Sequence, residues 1–224
     1  MKPMTYNLLR REWLQYKSFG KSWLWIWVLY LGLYLLLGLA AGFIVLFLPI
    51  VMTYSAIYSA KQTGEAVSAG IEDFLLPVPL REVLWSKYLF AFLMASISAL
   101  VVLAAVMVQR LLNPEEIISP FYVLGATMTY TAVVTGGGLP LLYKFGATRG
   151  RFTMIILMGI SAVLGSSVAI LGLTAMGGVP DSISIALTIT AVVLWALMPF
   201  SLRLTERFYR RGGVDHERHP IVEA

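Results

Sequence analysis

Of the 224 residues, 58% are hydrophobic and only 13% charged, with a mean hydropathy of +0.79. A soluble domain of this length carries about 25% charge, so an ordinary water-soluble globule is excluded. There is no cysteine, which removes disulfide and thiolate chemistry. Topology and anionic lipid account for the net charge of +5, with no need of nucleic acid.

The first element, within residues 1–21, is a cytoplasmic amphipathic segment. Tyr6, Leu9, Trp13 and Tyr16 recur at helical spacing while Arg10, Arg11 and Lys17 take other faces, as in a helix lying in the headgroup region. Trp23, Trp25 and Trp27 follow at the position of an interfacial aromatic belt. Next comes the first of five runs without Asp, Glu, Lys, Arg or His: Ser22–Ala60, Tyr88–Gln109, Ile117–Tyr143, Phe152–Pro180 and Ser182–Leu202. About 20 apolar residues cross a bilayer. The 39 residues of the first run are too many for one crossing and form two, with an outer turn at Gly38–Gly42, where glycine makes tight backbone cheap. A cleaved signal peptide is disfavoured because a second apolar span follows at once. The sequence therefore predicts an all-α integral membrane protein with six transmembrane helices in residues 22–202. Both termini are cytoplasmic, and 203–224 form a cytoplasmic tail. This places 16 of the 17 Lys and Arg residues on one side, leaving Arg110 outside, as the positive-inside rule demands.

Between the second and third spans, Val67, Ile71, Phe74 and Leu75 fall at i, i+4, i+7 and i+8, predicting a short cytoplasmic helix over Thr63–Leu76. Pro77 stops it, and Pro79 suits the first turn of the next helix. The loop holds Glu65, Glu72, Asp73 and Glu82. A basic membrane face with acidic lipid would repel such a helix, so a protein partner is the better account of it.

The run Leu76-Pro77-Val78-Pro79-Leu80-Arg81-Glu82-Val83-Leu84-Trp85-Ser86-Lys87-Tyr88 resembles the loop before the third span of ABC type-2 transporter permeases. It departs from the family pattern at Pro79 and Leu80, where Ser and a basic residue are usual. Pro140-Leu141-Leu142-Tyr143-Lys144-Phe145-Gly146, followed by Arg149 and Arg151, is similar to the family's second cytoplasmic loop. The resemblance implies a permease that dimerises, as a homo- or heterodimer, and binds two cytoplasmic ABC ATPase subunits carrying ATP and magnesium. It assigns Glu72, Asp73, Phe74, Leu75, Leu76, Pro77 and Arg81 to a coupling helix, with Lys144, Gly146 and Arg149 as a second contact.

The chain has no phosphate-cradling Gly-x-x-x-x-Gly-Lys-[Ser/Thr] loop, so no cofactor is expected on it. Gly136-Gly137-Gly138 is a bent or flexible end of the fourth span. Ionisable groups are absent from the predicted spans, which disfavours an ion-driven carrier and an intramembrane hydrolase, and no catalytic residue is expected. His216, Glu217 and His219 lack the four ligands of a structural zinc site, so no metal site is expected. Thr53, Tyr54, Tyr58, Thr127, Thr131 and Thr135 either line a translocation path or make interhelical hydrogen bonds. Small residues Ser161, Gly165 and Ala169 permit close helix packing. The functional expectation is the permease subunit of an ABC exporter in a bacterial plasma membrane, moving a hydrophobic or amphipathic substrate such as a peptide toxin, antimicrobial peptide or drug. The alternative is a non-transporting membrane scaffold that docks a cytoplasmic partner.

Overall fold

The computed structural model describes residues 3–18, 25, 28, 29, 32, 48–57, 79–112, 119–176 and 181–210, and all its elements are helical. The expected coupling residues Glu72 to Pro77 lie outside the described residues, as do Tyr58, the expected turn at Gly38–Gly42 and the histidines of the tail. In chain order the helices are α1 (Pro3–Ser18), α2 (Leu48–Ile57), α3 (Leu80–Leu112), α4 (Pro120–Met176), α5 (Asp181–Ala196) and α6 (Met198–Arg210). By itself α3 is long and apolar enough to cross a bilayer, and α5 with α6 passes the same test as a pair bent by 41°.

Proline shapes the starts of α3, α4 and α6. Pro79 sits one position before α3 rather than inside its first turn, and its carbonyl accepts the amides of Glu82 (2.8 Å) and Val83 (3.4 Å). Glu82 complements the positive helix end, and Pro120 opens α4, where its missing amide costs nothing. Pro199 explains the bend at Leu197, since its ring clashes with the carbonyl four residues back and disfavours helix in the residue before it.

As a straight rod α4, with 57 residues, would reach roughly 86 Å. Instead it doubles back. A Cβ on Gly150 would lie 2.9 Å from Leu142 Cα, positions that a straight helix separates by about 12 Å. Gly138 faces Met154 and Gly137 faces Leu157, so the two limbs run antiparallel about a tip at residues 143–149.

The first limb of α4 is the centre of the bundle. Along it Gly125 meets Thr188, the Met128 carbonyl accepts Trp195 Nε1 (3.1 Å), and the Gly136 carbonyl accepts Ser201 Oγ (2.6 Å). Both numbers rise together, so this limb and α5–α6 run parallel. Against them α3 runs antiparallel, with Phe92 edge-on to Trp195 at 4.7 Å and Tyr88 against Ser201 and Thr205. Ala91, Ala132, Leu139, Leu142, Met154 and Leu202 lie in one buried cluster; Val102, Val106, Tyr122 and Ala126 form a second.

α1 packs through Leu8, Glu12 and Tyr16, an i, i+4, i+8 stripe, with Leu9 half-buried. Tyr6 and Trp13, expected on one face with Tyr16, are exposed instead. The helix has two apolar contacts to satisfy, α3 on one side and the surroundings on the other, and a sequence stripe does not separate them. Much of the outer surface is apolar too: Phe92, Ile97, Leu100 and Met107 on α3, and Ile185, Ile189 and Val192 on α5.

The fold-back gives a direct test. In Gly150→Ala the new methyl would meet backbone that cannot step aside, and the detergent-solubilised protein should lose about 1–3 kcal/mol, read as a lower thermal midpoint. Gly159→Ala, with nothing within 4 Å, should leave the midpoint unchanged or raise it slightly.

Candidate functional site

Two features stand out where the start of α3, the tip of α4 and the end of α6 converge. The first is a basic surface. Arg81, Lys144, Arg149, Arg203 and Arg207 are exposed there. Lys144 Nζ lies 5.0 Å from the Phe145 ring centroid and 5.5 Å from that of Phe208, while Tyr143 and Tyr209 pack at 5.7 Å. These contacts join the α4 tip to the end of α6. Arg110 is at the far end of α3, roughly 44 Å away by helix rise. Of the residues assigned to ATPase coupling, the described ones (Arg81, Lys144, Gly146 and Arg149) share this end. Gly146 sits at the fold-back itself, within α4.

Just beneath lies a buried polar junction. Lys87 is 4% exposed and Glu12 3%, with Lys87 Nζ 3.7 Å from Glu12 Oε1. The sequence counts Lys87 among the basic residues flanking a span; the fold buries it against an acid of α1. Tyr16, one turn on from Glu12, stacks edge-on with Phe90 at 5.8 Å and donates to Met52 Sδ at 3.4 Å, tying α1 to α3 and α2. Burial holds the Tyr16 phenol above its ordinary range, against a smaller opposing effect of the Ser55 hydroxyl, so it stays a neutral donor.

Tyr88, the next residue, reaches the other way. Its hydroxyl is 2.7 Å from Ser201 Oγ and 2.8 Å from Thr205 Oγ1. Ser201 has one proton, committed to the Gly136 carbonyl at 2.6 Å, so Tyr88 is the donor to Ser201. Thr205 also has one proton, and both the Tyr88 hydroxyl at 2.8 Å and the Ser201 carbonyl at 3.0 Å are within its reach as acceptors. The Gly136 oxygen needs that serine because its helical donor would be the amide of residue 140, and residue 140 is proline.

Thr53, Thr127, Thr131 and Thr135 are fully buried within the helix packing in this conformation, and Tyr54 is half-buried. Thr127, Thr131 and Thr135 form an i, i+4, i+8 row on one face of α4, and Thr131 donates to the Thr127 carbonyl at 2.9 Å. The hydroxyls of Thr53, Thr127 and Thr135 find no hydrogen-bond partner among the described residues. Ser161, Gly165 and Ala169 lie on the second limb of α4; their side-chain surroundings are outside the described residues.

A family model described as ABC-2 family transporter protein matches residues 7–210. The chain belongs to the ABC-2 transporter family. It is therefore a membrane protein and an ABC transport permease, and membership implies partnership with an ABC ATPase. No curated protein and no solved structure matches the chain. The match takes in the basic end of this ABC-2 permease, its polar junction and α1 from Asn7 onward.

Sequence reasoning missed Glu12, Tyr88, Ser201 and the Gly136 carbonyl. Proline inside a helical run was the one available signal, since it announces an oxygen without a donor. Nothing local says that the donor comes from Ser201, 65 positions later.

The ion pair is testable by charge. Glu12→Gln or Lys87→Met alone should cost the ABC-2 permease on the order of 3 kcal/mol, because each removes one charge of a buried ion pair. Glu12→Gln combined with Lys87→Met should cost clearly less than the sum. Thermal unfolding of the four proteins in one detergent measures this.

Proposed function

We propose that this ABC-2 permease is the membrane half of an ATP-driven exporter, working as a dimer whose cytoplasmic face carries two ATPase subunits. Six spans with both termini inside suit the charge distribution, and the bacterial plasma membrane is its site. The passes of α3, the two α4 limbs and α5–α6 alternate in direction, as repeated crossings of a bilayer require. The observation that carries the reading is the convergence of Arg81, Lys144 and Arg149 on one basic end within a chain of this family. Arg81 lies just after the coupling segment in sequence, so a push on that segment reaches the start of α3 first.

ATP and magnesium act on the partner. This chain supplies the lever and the path. The cargo is hydrophobic or amphipathic, a peptide or a drug-like molecule, because the predicted spans are uncharged and the path candidates are hydroxyls. Buried hydroxyls without partners cost about 1–3 kcal/mol each, so Thr53, Thr127 and Thr135 favour a second conformation that gives them cargo, water or another donor.

The deciding experiment is capture of the tagged chain from its native membrane in mild detergent, with partners identified by mass spectrometry. A stoichiometric partner bearing a phosphate-binding loop is expected. Its absence from folded, solubilised protein would favour the non-transporting scaffold. Phe74→Ala with Leu75→Ala should reduce ATPase recovery at least fivefold while membrane insertion is unchanged, and Lys144→Glu with Arg149→Glu should reduce it further.

A further inference from the structure

We propose that Tyr88 and Ser201 are positioning residues that hold the α4 first limb at Pro140 and pass displacement of the α3 start to it. The inference rests on the permease reading above.

Pro140 withholds the amide that would bind the Gly136 carbonyl, and residues 136–138 are all glycine, so this stretch has the least intrinsic stiffness in α4. A single side chain compensates: Ser201 Oγ, 2.6 Å from that oxygen. Ser201 is placed there by a second proline, because the chain bends 41° at Leu197, just before Pro199. Tyr88 then holds Ser201 from the opposite side at 2.7 Å. It stands seven residues, two helical turns, after exposed Arg81. Its neighbour Lys87 is fastened to α1 through Glu12. A rigid displacement of the α3 start therefore moves Tyr88, and Tyr88 moves against the hydroxyl that stabilises the Pro140 segment. Within the bilayer no bulk water competes for the released oxygen, so the limb adopts one arrangement with Ser201 engaged and another without it.

The chain lacks cysteine, so cysteines at exposed Phe121 and Phe152 can carry spin labels on either side of the Gly136–Pro140 segment. The full chain is placed in lipid nanodiscs, alone and with its co-purified ATPase, with and without magnesium and a non-hydrolysable ATP analogue. Distances are read by pulsed electron resonance. Ser201→Ala should change the ratio of the populations at the two label distances about fivefold in the chain alone, the value of one ordinary hydrogen bond. Tyr88→Phe should shift it the same way but less, and Ser201→Thr should restore the wild-type distribution. Pro140→Ala returns the missing amide, so adding Ser201→Ala to it should move the ratio less than twofold. With ATPase present, nucleotide should shift the wild-type distances and Tyr88→Phe should blunt that shift.

An unchanged distribution in Ser201→Ala overturns the inference. So does an equal effect of Ser201→Ala in both backgrounds, which would mean packing rather than carbonyl satisfaction. If no ATPase co-purifies, the permease reading fails on that arm, while the Ser201 and Pro140 comparison still decides the inference from the chain alone.

Discussion

Where helix packing keeps water out, a backbone oxygen cannot borrow a hydrogen bond from it, so the carbonyl that Pro140 deprives of its donor is met by another part of the protein. Ser201 meets it, and the arrangement of the bundle follows from that need. For the serine to arrive, α6 must lie beside the first limb of α4 in parallel, which the second limb makes possible by carrying the chain back. For it to arrive at the right height, α5 and α6 must part at Leu197, where Pro199 bends them. Trp195 donating to Met128 and Thr129 donating to the Leu187 carbonyl (3.1 Å) fix the same register from above. Three interhelical bonds, each individually modest in a membrane, thus agree on one alignment.

Charge is handled with the same economy. α1 could have rested on lipid alone, yet Glu12 and Lys87 are buried together and Tyr16 adds aromatic and sulfur contacts to α3 and α2. A buried ion pair is a poor source of net stability, because desolvation consumes most of the attraction. Its contribution is selectivity of docking: any sliding of α1 along α3 separates two desolvated charges. The N-terminal helix α1 is thereby registered to the start of α3.

Much of this was legible in the sequence, and the limits are physical ones. The five uncharged runs announce a membrane chain because long uncharged stretches have no other economical use, and Lys144-Phe145-Gly146 with Arg149 marks the place where α4 turns. The family motifs pointed to the family that the comparison shows. What could not be read is whatever depends on two distant residues meeting. Tyr6, Leu9, Trp13 and Tyr16 form a valid helical stripe, yet the protein takes Leu8, Glu12 and Tyr16, because a helix between protein and surroundings has two apolar faces. Lys87 looked like one more flanking cation, since burial of a lysine is invisible without its acid. The threonines of α4 were visible as a polar cluster, but the same cluster serves a path or a packed interface.

The parallel course of the α4 first limb and α5–α6 also has a consequence for synthesis. Gly136 leaves the ribosome 65 residues before Ser201 does, an interval of roughly 3–13 s at ordinary translation rates. During that interval the limb with its proline exists without the hydroxyl that completes it, and the later helix is inserted into a protein already holding a vacant acceptor. α6 therefore completes the first limb of α4 as a capstone closes an arch, and a chain arrested before Ser201 would leave that carbonyl open.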